Sequence, residues 1–164
     1  MSEWFSFSMT KDILLVIVAV YGAVLATFNY RQAKRKDQRN VLVEISTVLP
    51  TYGPVLGACF AKVAVINAGQ RSVTITNIGL CLPDHTRLFS MSSGMPGMPN
   101  TQLPAPLSDG ESAHITVSYK DLGEALLSHR LTGHTKLMPI CIDSAVAVYS
   151  GKRWSIDPHK FART

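Results

Sequence analysis

Ile13–Phe28 reads ILLVIVAVYGAVLATF, and NYRQAKRKDQR follows it at once. The sixteen residues carry no charge, and Tyr30 extends the apolar run to about eighteen, with Asn29 near its rim. At ~1.5 Å rise per residue the run covers roughly 25 Å, a little short of a ~30 Å hydrocarbon core. A helix apolar on every face needs a large protein around it to bury it. Only about 125 residues follow, and they read as strands. The stretch therefore predicts one transmembrane helix over 12–30, after a short N-terminal segment (1–11).

Charge is distributed unevenly around this helix. The formal net charge is +5, but most of it sits in a stem over 31–40, where Arg31, Lys34, Arg35, Lys36 and Arg39 face only Asp37. From Asn40 onward there are ten Lys/Arg against eight Asp/Glu, so the rest of the chain is nearly neutral. A juxtamembrane basic cluster stays on the cytoplasmic side and adds roughly 1 kcal/mol per charge on anionic lipid. These five residues are the membrane-lipid contact expected from the sequence. A non-specific nucleic-acid arm is the competing reading, but the cluster's position beside the apolar run favours the membrane, and no nucleic-acid partner is expected.

Glu3 and Asp12 against Lys11 precede the run. This asymmetry predicts the N-terminus outside and everything beyond the helix in the cytoplasm, at the inner membrane. A signal peptide places its positive charges before the apolar run; here they come after it, so the helix is expected to stay as an anchor. Trp4, Phe5 and Phe7 fit an amphipathic lead-in. Cys59, Cys81 and Cys141 are odd in number, lack C-x-x-C spacing and lie in apolar runs, as reduced buried thiols do. Ala19/Ala23 and Gly22/Ala26 are small residues four apart, the spacing that lets two membrane helices approach closely. Self-association through that face is expected.

Beyond the stem the period changes from helical to alternating. VLVEISTV (Val41–Val48) places Val41, Val43, Ile45 and Thr47 on one face, and Pro50–Pro54 follows as a turn. Cys59–Gly69 is a strand run ended by Asn67-Ala68-Gly69, with Gly69 expected at positive φ. Arg71–Leu82 alternates and closes at Pro83-Asp84, and Thr86–Phe89 answers it as a short strand. Ser90–Gly110 holds four Pro, three Gly and three Met in twenty-one positions, which predicts no regular element. Ser112–Ser118 is the next strand. Lys120–His129 spaces Leu122, Ala125, Leu126 and His129 three or four apart, as a short helix does. Leu137–Ile142 carries Pro139 and so belongs at an edge or beside a bulge. Asp143-Ser144 turns into Ala145–Tyr149, and Arg153–Ile156 leads to Asp157-Pro158. Short strands about ten residues apart, joined by Gly/Pro turns, predict an all-β fold. The expectation is an antiparallel immunoglobulin-like β-sandwich over 41–158 with one short helix, and 159–164 as a tail.

The anchor, the RKDQR stem, VINAGQRSVTITNIGL, LPDHTRL, LSDGE and a closing DS-x-x-x-x-YS hairpin resemble a bacterial group. That group comprises small, uncharacterised single-pass membrane proteins with an Ig-like or fibronectin-like domain. The resemblance implies the fold and carries no catalytic residue.

Chemistry leaves few traces in the residues themselves. His85, His114, His129, His134 and His159 show no H-x-x-x-H or H-x-H spacing, and no cysteine stands at zinc-ligand spacing from one. His129 and His134 flank Arg130–Gly133 and read as solvated loop residues, while His114 is expected on the face opposite Ile115 and Val117. There is no G-x-S-x-G, Walker A or G-x-G-x-x-G. No catalytic, cofactor or metal residue is expected, and the chain does not read as an enzyme. Met91, Met95, Met98 and Leu103 lie in the Pro-rich stretch with no evident core to join, and flexible methionine surfaces adapt to partners. They are the expected partner-binding loop, and an open sheet edge is a second docking mode. The expected function is a membrane-anchored binding or scaffold module. The alternative is a membrane-acting effector or accessory subunit of a defence or toxin system, with the sandwich as sensor.

Overall fold

The computed structural model describes residues 2–36, 39–52, 55–89 and 94–163. It divides into two units, 1–38 and 39–164. The first unit is one helix, α1 (Ser2–Lys36). Within it Ile13–Lys34 has a mean hydropathy of 2.1 and none of its residues is buried, so its large apolar side chains are left exposed.

The second unit is built from short antiparallel strands. In order they are β1 (Val41–Val48), β2 (Thr51–Tyr52), β3 (Val55–Leu56), β4 (Phe60–Asn67), β5 (Val73–Cys81) and β6 (Arg87–Phe89). Then come β7 (Gly94–Met95), β8 (Met98–Pro99), β9 (Ala105–Leu107), β10 (Ser112–Ser118) and helix α2 (Tyr119–Ser128). β11 (Thr135–Asp143), β12 (Val148–Ser150), β13 (Trp154–Ile156) and helix α3 (Pro158–Phe161) complete it. One sheet has the order β1-β4-β10; the other has β12-β11-β5-β6, with β13 also on β11 and β9 also on β5. Alternation does what the sequence demands: Val41, Val43, Val63, Val65, Ala113 and Ile115 of the first sheet share one core with Val73, Ile75, Ile78, Leu80, Leu137 and Cys141 of the second. Glu44, on the opposite face of β1, is exposed.

Five expectations are corrected. Ser90–Gly110 is not irregular throughout, because Pro96-Gly97 makes the tight β7–β8 hairpin, with Gly97 at φ 80° as a type II turn requires. Further on, β9 pairs with β5 and seats Ala105 and Leu107 in the core. The strand carrying Pro139 is not at an edge, since β11 has β5 on one side and β12 and β13 on the other, but it does end at a bulge, where the β5 register shifts between Ile142 and Asp143. The proline is accommodated where its second neighbour is interrupted: β13 pairing covers Thr135–Leu137, β12 pairing covers Ile140–Ile142, and the chain loops out between them. Gly151 N–H donates to the Pro139 carbonyl across that gap at 2.9 Å. Ala145–Ala147 is turn, and the strand begins only at Val148. The residues after Asp157 are not a loose tail, for Phe161 stacks on Tyr119 (centroids 3.9 Å, 15°) and meets Trp154 edge-on at 5.5 Å. α3 comes so close to α2 that a Cβ on Gly123 would strike the Ala162 amide. Gly69 is a smaller correction. The turn after β4 is held by the buried Asn67 instead, whose Nδ2 donates to the carbonyls of Arg71 (2.8 Å) and Leu107 (2.9 Å) while Oδ1 accepts from Gly69 N–H (3.0 Å).

Candidate functional site

The residues singled out from the sequence fall in separate places. Arg31 and Lys34 are exposed on α1, as are Ala19, Gly22, Ala23 and Ala26. The side chains of Arg35 and Lys36, and the whole of Met91, lie outside the described residues. Met95 is buried and its amide donates to Thr116 Oγ1 at 3.0 Å; Leu103 packs against the core, and Met98 is half-buried. The Met/Pro stretch is therefore largely stapled down. Asn100 and Thr101 pair by side chain with the backbone of Thr116 and His114 (2.6 and 3.0 Å), so this segment covers the free edge of β10. His114 is partly buried with Nε2 unpartnered. Burial and nearby Lys62 push its pKa below the ordinary value, against the pull of the Pro99 carbonyl.

Arg39, the last cation of the basic stem, is engaged within the 39–164 unit. Its guanidinium donates to Asp143 Oδ2 at 2.7 Å, and the Asp143 side chain is fully buried. The same carboxylate accepts from the amides of Ala145 and Ala147 (2.9 Å each) and from the Tyr149 hydroxyl (3.2 Å). Burial disfavours the charge, but these two amides, the phenol and Arg39 outweigh it and hold the carboxyl below its usual range. The group closes the β11–β12 turn, in which Val146 takes φ 62°. Cys141, two residues before it, is fully buried; burial and the neighbouring charge push its thiol up to about 12. These groups find their partners within the fold.

A different constellation is open to solvent. A cleft of about 510 Å³ lies against the outer face of β5 and β11. Its floor follows from register and period two: Cys81 pairs with Met138, both directed away from the core residues Leu80 and Leu137, and Lys136 lies two residues along on the same face. Two turns form the walls. In the first, Leu82 N–H donates to Thr86 O (2.8 Å), His85 N–H to Leu82 O (3.0 Å) and Thr86 N–H to Asp84 Oδ1 (3.0 Å), which holds His85 at φ 66° on the rim. In the second, α2 ends in a Schellman motif: Leu131 N–H reaches Leu126 O (3.1 Å) and Arg130 N–H reaches Leu127 O (2.9 Å), with Arg130 left-handed at φ 59°. Gly133 at φ 104° then delivers His134 to the opposite rim. Arg153, just ahead of β13, completes the lining. Two permanent cations and two imidazoles thus converge, and none of the lining residues is an acid. Among the described residues no group of three or more His, Cys, Asp or Glu is placed to hold a metal ion.

Sequence reasoning missed this cleft. His85, His134, Lys136 and Arg153 are spread over nearly seventy positions, and only the β5–β11–β13 register brings them together. The signals that were available were the Pro-Asp-His turn and a helix followed by Thr132-Gly133-His134.

No protein-family profile matches the chain, and no curated protein matches its sequence. Among solved structures it is similar to a protein described as Northeast Structural Genomics Consortium target SoR45, at 9% identity and a TM-score of 0.34, over 71% of this chain and 86% of that one. A likeness that loose fixes neither fold nor activity.

Proposed function

We propose that the protein is a single-pass membrane-anchored binding module. The observation that carries this reading is the Ile13–Lys34 segment, apolar, helical throughout and with none of its residues buried. About 22 helical residues rise roughly 33 Å, enough to cross a hydrocarbon core. The exposed Arg31 and Lys34 at its C-terminal end support retention with the following unit in the cytoplasm. The three cysteines are free thiols, which is compatible with that compartment. The strand orders β1-β4-β10 and β12-β11-β5-β6 support an immunoglobulin-like sandwich, corresponding to A-B-E in one sheet and G-F-C-C′ in the other. In this reading the sandwich presents a recognition surface at the membrane, and the helix holds it there.

Two measurements on the full chain in its native membranes test it. Alkaline carbonate extraction followed by mass spectrometry is expected to recover a membrane-embedded chain that still contains Ile13–Lys34. Release into the supernatant, or a chain starting near Asn29, would identify a cleaved signal sequence instead. In-membrane crosslinking is then expected to capture a heterologous protein or a bound small molecule on the 39–164 unit. Crosslinks confined to α1 would point to an oligomer that acts within the bilayer.

A further inference from the structure

We infer that the cleft between the Leu82–Thr86 turn and the Leu131–Thr135 loop is a binding site for a phosphorylated small molecule. The argument begins with charge. Lys136 and Arg153 are exposed, neither has a carboxylate partner among the described residues, and two imidazoles join them from opposite walls. Like charges gathered on one concave surface repel one another unless an anion answers them. In the β5–β6 register Arg87 lies opposite Cys81, which adds a further cation to the same sheet face. Asp84, the carboxylate nearest in sequence, is turned into its own loop by the Thr86 amide.

Shape and donor chemistry narrow the class. A guanidinium fork, an ammonium and two ring N–H donors arriving from different directions suit an anion with several oxygens around one centre, which a phosphoryl group provides and a lone carboxylate does not. The volume, about 510 Å³, exceeds what a bare ion needs and matches the range of small-molecule sites. Leu131 and Met138, both half-buried, offer apolar surface for the organic part. The site is also built rather than fortuitous: both walls depend on non-glycine residues held left-handed, His85 and Arg130, each fixed by backbone hydrogen bonds. This inference does not depend on the membrane reading, since every residue it uses lies in the 39–164 unit.

Methionine-methyl NMR on the full chain in zwitterionic nanodiscs tests it, because Met138 lies in the cleft while Met95 is buried elsewhere. ADP serves as the soluble phosphate ester, and discs containing phosphatidic acid without ADP as the lipid source. The expected result is a saturable shift of the Met138 methyl with an unmoved Met95 signal. Lys136→Gln with Arg153→Gln should weaken binding about tenfold or more, and Lys120→Gln, an exposed cation outside the cleft, should leave it unchanged. A Met138 shift with phosphatidic acid alone, lost in the same double variant, would place the phosphate on a lipid headgroup. No saturable Met138 shift with either probe, or an equal response in the double variant with Met95 unperturbed, would overturn the inference.

Discussion

Two charged regions of the 39–164 unit, the Asp143 cluster and the Lys136/Arg153 cleft, use charge in opposite ways. At Asp143 a buried carboxylate receives a guanidinium, two amides and a phenol, so its charge is answered by the chain itself. At the cleft four nitrogen-bearing side chains face one another across open space with no acid among them. The lesson is that a charged residue's role is read from what completes it. The first cluster completes a hairpin, while the second finds no carboxylate partner among the described residues. Arg39 makes the point within one residue: by sequence it belongs to the basic run that follows the apolar helix, yet its hydrogen bond ties the start of the unit to the end of β11.

The comparison predicts unequal costs. Asp143→Ala leaves Arg39, two amides and the Tyr149 hydroxyl without their acceptor, and should destabilise the chain by about 3–5 kcal/mol in denaturant titrations. Arg39→Ala should cost about 1 kcal/mol, because its side chain is one-third exposed and the remaining donors still hold the carboxylate. Lys136→Gln/Arg153→Gln should stay within about 0.5 kcal/mol of the parent chain. A large loss from the cleft pair would make the cleft structural and erase the contrast.

Acid sharpens the same contrast. Asp143's folded-state pKa lies below the ordinary 3.8, so its contribution is present above that value and lost as pH falls through the folded one. Asp143→Asn should therefore flatten the stability profile at the acid end. His114 acts earlier and more weakly: its folded pKa is depressed below 6.5, so the unfolded chain takes up the proton first and stability declines as pH drops through 6.5. His114→Gln should remove that shallow slope. The smallest effect is on thiol reactivity. Cys59 is half-buried while Cys141 is fully buried with its thiol pushed up to about 12, so iodoacetamide should reach Cys59 in the folded chain and Cys141 only on unfolding.

Periodicity made the framework legible. β1, β4, β5, β10 and α2 each announce themselves by local alternation or helical spacing, and Ser118 caps α2 by accepting from Asp121 N–H at 3.0 Å. What escaped depends on pairing between distant segments. Pro139 reads as an edge signal because local rules cannot know that its outer partner breaks between Ser150 and Trp154. β9 hides among prolines because its three residues gain strand character only by lying on β5. Phe161 has no apolar periodicity around it, and its role appears when α3 folds onto Tyr119. The cleft escaped for the same reason, because its cations are neighbours across strands and not along the chain.

The most direct test measures thermal unfolding of the full chain in zwitterionic nanodiscs with and without pyrophosphate. A ligand that binds only the folded state raises the midpoint, and above its dissociation constant the rise grows with the logarithm of its concentration. The account predicts a rise for the parent chain and for Asp143→Asn, which starts from a lower midpoint, and no rise for Lys136→Gln/Arg153→Gln, which starts from the parent's. An equal rise in that double variant, or none in the parent chain, would contradict it.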